Sequence, residues 1–247
     1  MGVALELLLL AAAGVVSGAL NVVAAGGSFL ILPILLFLEL PATLANGTNR
    51  VGVLAQNASG LLGFHRQGAM PWSWALTASI PAVCGACFGV WAALAIPDFA
   101  FRRILSIAMV AMTIWSLLNR QRPAALSAIK PVSHWAIMVG FFVVGLYGGF
   151  IQAGVGFLVL AITTFAGLDL VRGNAVKLLS ILLLTIPSLI VFAAAGQVDW
   201  PRGLALGAGN WAGAMIGVRM AVLKGHFWLE KVVTAAVILF AVALWLQ

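Results

Sequence analysis

Residues 25–50, AGGSFLILPILLFLELPATLANGTNR, and residues 153–178, AGVGFLVLAITTFAGLDLVRGNAVKL, are two versions of one stretch. At a shift of 128 residues Gly26 falls on Gly154, Phe29 on Phe157 and Asn46 on Asn174. Outward from this core the match runs without a gap to Phe99 and Phe227, with roughly twenty identities that include Phe64/Phe192, Gly68/Gly196, Trp72/Trp200, Gly85/Gly213 and Gly89/Gly217. Two unrelated apolar chains align leucines by chance, but seldom Asn, Trp and Gly in a single register. The chain carries two copies of one unit.

Composition says where that unit lives. The 247 residues are 64% hydrophobic and 8% charged, with a mean hydropathy of +1.15, far too little charge to clothe a soluble domain. Apolar runs at 4–24, 74–96, 104–118, 135–152, 178–195 and 232–246 approach or reach the roughly twenty helical residues that cross a hydrocarbon core. Exposed backbone polar groups are too costly in lipid, and the runs lack the short alternation of barrel strands, so the spans are expected to be helices. The first run lacks a basic leader and a cleavage site, so it is read as a retained span. A net charge of +7 does not point to nucleic acid here, because Lys and Arg in loops follow the positive-inside rule and meet anionic headgroups.

In each copy a glycine break, Ala25-Gly26-Gly27-Ser28 or Ala153-Gly154-Val155-Gly156, precedes a short apolar piece, residues 29–40 or 157–168. About twelve helical residues reach only about 18 Å, short of a core of about 30 Å, so each piece is a half-helix, a tilted short pass or a re-entrant segment. Parity then relates the copies: five passes each invert the second copy, four leave it parallel. With five passes, Arg66, Arg120, Arg122, Lys130, Arg172, Lys177, Arg219, Lys224 and Lys231 share one side. Arg50, Arg102, Arg103 and Arg202 lie opposite, nine against four. Four passes give eight against five and separate the linker from the majority. The inverted arrangement is preferred, with the linker cytoplasmic and both termini outside. The expected organisation is a first membrane repeat at 1–118, a polar linker at 119–133 and a second repeat at 134–247.

Broken helices leave N–H and C=O groups for a ligand near the midplane, and a helix N-terminus favours an anion. Gly26, Gly27, Ser28, Gly154 and Gly156 therefore mark one candidate site, close glycine packing being the alternative. A second cluster follows each short piece: Asn46, Thr48, Asn49 and Arg50 in the first copy, Asn174 and Lys177 in the second. The asparagines serve either as helix caps in a turn or as ligand contacts. Arg50 and Lys177 either bind a sulfonate, sulfite or carboxylate, or snorkel to headgroups. Asn21, Gln56, Asn57, Gln152 and Asn210 are further intramembrane amides, suited to helix glue or to ligand contact.

The acids Glu6, Glu39, Asp98, Asp169, Asp199 and Glu230 and the three histidines lie near expected span ends, so no carboxylate proton relay is visible. No metal cluster, catalytic triad or phosphate loop stands out, and neither enzyme chemistry nor a cofactor is expected. Cys84 and Cys87 leave one rival, a membrane thiol-disulfide carrier. Their register mates are Ala212 and Met215, however, and Gly85 and Gly89 suggest a packing face instead.

The order of these pieces resembles the TauE/SafE family of sulfite and organosulfonate exporters over nearly the whole chain. The resemblance rests on Gly18-x-x-Asn21, Gly26-Gly27-Ser28 with Pro33, Ala45-Asn46-Gly47-Thr48 and Gly68-x-x-x-Trp72. In the second half it rests on Gly148-Gly149, Gly154-x-Gly156 and Gly196 through Trp200. Ala161 stands where the first half has Pro33. The family implies an exporter of small sulfur-containing anions in the bacterial inner membrane, with a central site between two halves and a homodimeric habit. The expected fold is all-α and polytopic, eight to ten transmembrane segments in two homologous, inverted repeats. The expected partners are a small anion and the bilayer.

Overall fold

The computed structural model describes residues 2–24, 27–66, 68, 70–118 and 133–224. Ala25, Gly26, residues 119–132 of the linker and the run at 232–246 lie outside them. Among the described residues there are nine helices and no strand: α1 (Val3–Ala24), α2 (Ser28–Phe37), α3 (Ala42–Arg66), α4 (Trp72–Ala95), α5 (Asp98–Leu118), α6 (His134–Phe150), α7 (Val155–Phe165), α8 (Leu170–Ala194) and α9 (Trp200–Lys224). Val3–Val22, Trp72–Ala95 and Val171–Ala194 are long and apolar enough to cross a membrane by length and composition. Ser28–Phe37, His134–Phe150 and Val155–Phe165 are apolar but shorter.

Two segments differ from their expected form. The Asn-Gly-Thr-Asn stretch reads as a turn, yet it lies inside α3, and Asn174 likewise lies inside α8. Where water is absent the backbone must satisfy its own hydrogen bonds, and that requirement overrides local turn preference. Neither asparagine is a cap. The start of α8 is capped by Asp169, which accepts from the backbone N–H groups of Val171 and Arg172, both at 3.0 Å. The start of α3 is capped from another helix by Asp98, which accepts from the N–H groups of Ala42 (3.2 Å) and Thr43 (2.8 Å) and from the Thr43 hydroxyl (2.9 Å).

The register of 128 residues is visible in the backbone. Helices α2 and α7 end alike: Leu40 N–H reaches the Leu35 carbonyl as Leu168 N–H reaches that of Thr163. Left-handed residues then follow, Glu39 at φ 61° and its mate Gly167 at φ 82°. The mates Gly68 and Gly196 are left-handed too, at φ 67° and 71°, after α3 and α8.

Helix directions follow from close contacts. A Cβ built on Gly209 meets Ala11 and Val15, one on Gly213 meets Val15, and one on Gly217 meets Ala19, so α1 and α9 run parallel. Val51 lies beside Gly203 and Ala55 beside Gly207, while the Ser59 hydroxyl donates to the Trp211 carbonyl, so α3 is parallel to α9 as well. In the same way Ala82 meets Gly145 and Ala86 meets Gly149, making α4 parallel to α6. Helices α3 and α8 are antiparallel, Arg50 lying over Phe192 and Gly60 beside Leu178. Asp98, just after α4, caps the start of α3, so α4 runs against α3. Helices α1, α3 and α9 thus run one way and their register mates α6, α8 and α4 the other. Because α1 and α3 run the same way, the chain between Gly27 and Pro41 returns through the bundle.

The polar side chains Arg50, Lys177, Asn46, Gln56 and Asn210 are buried, while Ile80, Trp91, Ile107 and Trp135 are exposed. This inside-out distribution suits a surface solvated by lipid.

Candidate functional site

Two broken helix ends, each met by a cation from the other half of the chain, form the centre of the bundle. Arg50, in α3, is 0% exposed. Its Nη2 donates to the Gly149 carbonyl at 2.6 Å and its Nη1 to Gln152 Oε1 at 3.0 Å. Asn46, one turn earlier on the same face, donates from Nδ2 to the Phe150 carbonyl at 3.0 Å and accepts from the Gln152 N–H at 3.2 Å. These partners belong to the end of α6 and the break behind it. The guanidinium and the Asn46 amide there satisfy the Gly149 and Phe150 carbonyls, which no next helical turn can reach, and the positive charge complements the negative end of the helix dipole.

Lys177 does the same for α1. It is 1% exposed, and its Nζ donates to the Asn21 carbonyl at 2.8 Å, the Val22 carbonyl at 3.1 Å and Asn174 Oδ1 at 2.7 Å. Asn21 is the register mate of Gly149 and Val22 that of Phe150. Arg50 and Lys177 are one residue out of register, yet both serve the same position in the opposite copy.

The starts of α2 and α7 face each other between these cations. The rings of Phe29 and Phe157 stack with centroids 6.0 Å apart. Gly154 is left-handed at φ 78°, and neither Gly27 nor Gly154 is replaced by a residue with a capping side chain, so no side-chain cap closes α2 or α7. Asn49 Nδ2 donates to the Ser28 hydroxyl at 3.4 Å. Gly156 is buried in the first turn of α7. Gln56 lies two turns beyond Asn49, its Oε1 buried without a hydrogen-bond partner.

Thr48 does not join the cluster. Lying two residues from Asn46, it faces α9, where its hydroxyl accepts from the Asp199 N–H at 2.9 Å. Asn21 enters through its backbone carbonyl. Cys84 and Cys87 are free and exposed on α4, whose Gly85 and Gly89 pack on the backbone of α6.

Two participants escape a reading by residue type. The carbonyls of positions 21, 22, 149 and 150 carry no side-chain signal. Tyr147, the one tyrosine of the chain, donates to the Ala153 carbonyl across the break at 2.8 Å, and its rarity beside a glycine break was the available sign.

The five described carboxylates all stand away from the two cations. Glu6 and Asp199 pair with Arg202, and Asp169 pairs with Arg172 at 3.5 Å. Asp98 caps α3, and Glu39 is exposed in the turn after α2. A helical membrane bundle with paired broken helices around buried positive charge has the architecture of a small-molecule transporter. The chain belongs to the sulfite exporter TauE/SafE family, whose model matches residues 10–244. It is an integral protein of the inner membrane. A probable membrane transporter protein, ORF9, of Sinorhizobium sp is 26% identical over 235 residues, covering 94% of this chain and 88% of that one. A probable membrane transporter protein of Haemophilus influenzae is 26% identical over 232 residues, 91% and 89% of the two chains. The probable membrane transporter protein YfcA of Escherichia coli K12 is 24% identical over 216 residues, 85% and 78%. No solved structure matches the chain significantly.

Proposed function

We propose that this transporter exports small sulfur-containing anions, such as sulfite, sulfoacetate or related sulfonates, by alternating access between two inverted repeats, 1–118 and 134–247, joined by a cytoplasmic linker at 119–133. One observation carries the reading. Arg50 and Lys177 are buried in a membrane protein and hydrogen-bond only neutral acceptors among the described residues. Uncompensated charge in a low-dielectric interior is costly, and an anionic substrate entering between the breaks relieves that cost. The helix-end charges do not supply the balance, because the negative ends of α1 and α6 are matched by the positive starts of α2 and α7.

The site residues on this reading are Ser28, Asn46, Asn49, Arg50, Gln56, Gln152, Gly154 and Gly156, with Gly27 at the first break and Asn174 and Lys177 holding the end of α1. Sulfur enters through the family description, since the named relatives specify transport without a substrate. The test is uptake of labelled sulfite, sulfoacetate and taurine into proteoliposomes under an imposed potential or proton gradient, with Asn46→Ala and Asn174→Ala beside wild type. Saturable flux of one anion, lost in both variants while they remain monodisperse, supports the reading. Absence of flux for every sulfur anion sinks it and favours another small anion.

A further inference from the structure

We infer that the transported anion is held in one off-centre station between Arg50 Nε–H and the start of α7, and that Lys177 is a positioning residue that clamps the end of α1 without touching the anion. The inference rests on the anion-transport reading and deepens it.

Donor accounting separates the two cations. An ammonium has three hydrogens, and Lys177 spends all three on Asn21, Val22 and Asn174. Of the five N–H groups of a guanidinium, Arg50 commits one on Nη1 to Gln152 and one on Nη2 to Gly149, while its Nε is the nitrogen that is fully buried with no partner. Arg50 Cζ lies over the Phe192 ring, 4.6 Å from its centroid, and a planar fork held there by two hydrogen bonds cannot turn Nε onto a carbonyl already served. The unpartnered Nε–H is therefore a fixed feature of the site.

The helix starts point the same way. At the membrane faces the starts of α3 and α8 are closed by carboxylates, Asp98 and Asp169. At the breaks the starts of α2 and α7 carry no side-chain cap. An N-terminus without a side-chain cap is an anion cradle. At α7 the Phe157 N–H turns back to the Gly154 carbonyl at 3.0 Å, which leaves the Val155 and Gly156 N–H groups for a ligand, and this start follows Gln152, the residue that Arg50 holds. The α2 start is poorer. Its Ser28 hydroxyl is engaged by Asn49, and a Cβ on Gly27 runs into the Ser17 backbone carbonyl and, at 2.7 Å, the Ser17 hydroxyl. Around Gly154 the walls are instead side-chain ends, Phe29 Cζ at 2.9 Å and Met112 Cε at 3.1 Å, which rotate aside more easily than backbone.

Distance keeps the cations apart. Lys177 lies fifteen residues before Phe192 in α8, about 22 Å along the helix axis, and Arg50 sits on Phe192. One small anion at the α7 start is Arg50's ligand.

The measurement is the concentration dependence of sulfite and sulfoacetate uptake into proteoliposomes for wild type, Arg50→Gln, Arg50→Lys, Gln152→Glu, Lys177→Gln and Lys177→Arg. Arg50→Gln is expected to raise KM at least tenfold, and Arg50→Lys fails to restore it. Gln152→Glu keeps an acceptor for Nη1 but adds a competing carboxylate, so it too raises KM, which covers the case of an Arg50 variant that does not fold. Lys177→Gln leaves KM within about twofold and lowers the maximal rate about tenfold, and Lys177→Arg recovers part of that rate. An equal rise in KM for Lys177→Gln and Arg50→Gln overturns the inference while leaving sulfur-anion transport standing. If wild type moves neither anion, the sulfur reading has failed. Thermal stabilisation by phosphate, nitrate and malonate then decides the station: loss in Gln152→Glu but not in Lys177→Gln upholds it, and any other pattern, including no stabilisation, overturns it.

Discussion

Glu39 holds a left-handed backbone at φ 61° where its register mate is Gly167 at φ 82°. Any residue with a Cβ is strained there, and Glu39 is exposed in a turn, so its side chain offers little packing in return. Glu39→Gly is expected to stabilise the detergent-solubilised protein by about 0.5–1 kcal/mol, the relief of strain being partly offset by the greater freedom of glycine when unfolded. Thermal unfolding should show a midpoint raised by about 2 °C, and a lowered midpoint refutes the argument. Legibility at this scale was uneven. The pairing of Asn46 with Asn174 is plain in the sequence; Asn46 meets the opposite copy's broken helix directly, and Asn174 holds the Lys177 ammonium that does so. The partners of Asn46 are backbone groups of residues 150 and 152, which no residue type announces. Arg50 and Lys177 are out of register by one, and only the reach of long side chains around a helical turn brings them to equivalent carbonyls.

At the scale of elements, close packing is carried by glycines placed across the two halves. A Cβ on Gly145 collides with the Ala82 backbone, whereas one on Gly140 touches only the end of the Ile162 side chain, at 3.0 Å. Gly145→Val should therefore destabilise the bundle by about 3 kcal/mol, since helix backbones must separate. Gly140→Ala should be near neutral, gaining helix propensity against a small shift of Ile162. Thermal stability by size exclusion in detergent separates the two, and equal effects refute the packing account. The Gly85 and Gly89 stripe is readable as a packing face, but its partner is not: α4 packs on α6 and α1 on α9, contacts between halves that periodicity within one helix cannot reveal. The short pieces were legible through their length against a bilayer. The start of α3 was not, because Asn, Gly and Thr favour turns in water, a preference that loses force where the backbone has no water to bond.

For the whole molecule, the proposed inversion makes direction the property that the two copies do not share. The charge count that favoured inversion included Arg50 and Lys177, and both are buried in the bundle. Removing one from each side turns nine against four into eight against three, so the bias survives the loss of the charges that do not face a membrane surface. Parallel packing of α1 with α9 and of α4 with α6 leads to the same orientation by a route independent of charge. Arg66 ends α3 and its register mate Ala194 ends α8, both exposed, and antiparallel α3 and α8 send these ends to opposite faces. In a Cys84→Ser/Cys87→Ser background, Ala194→Cys should react with a membrane-impermeant maleimide applied to intact spheroplasts. Arg66→Cys should react only in inside-out vesicles. Labelling of both from one side would make the copies parallel and dissolve the two-fold relation between the cations. Transport retained in the doubly serine-substituted background removes the thiol carrier, whose cysteines lie exposed on the outer face of α4, whereas its loss would return them to the mechanism.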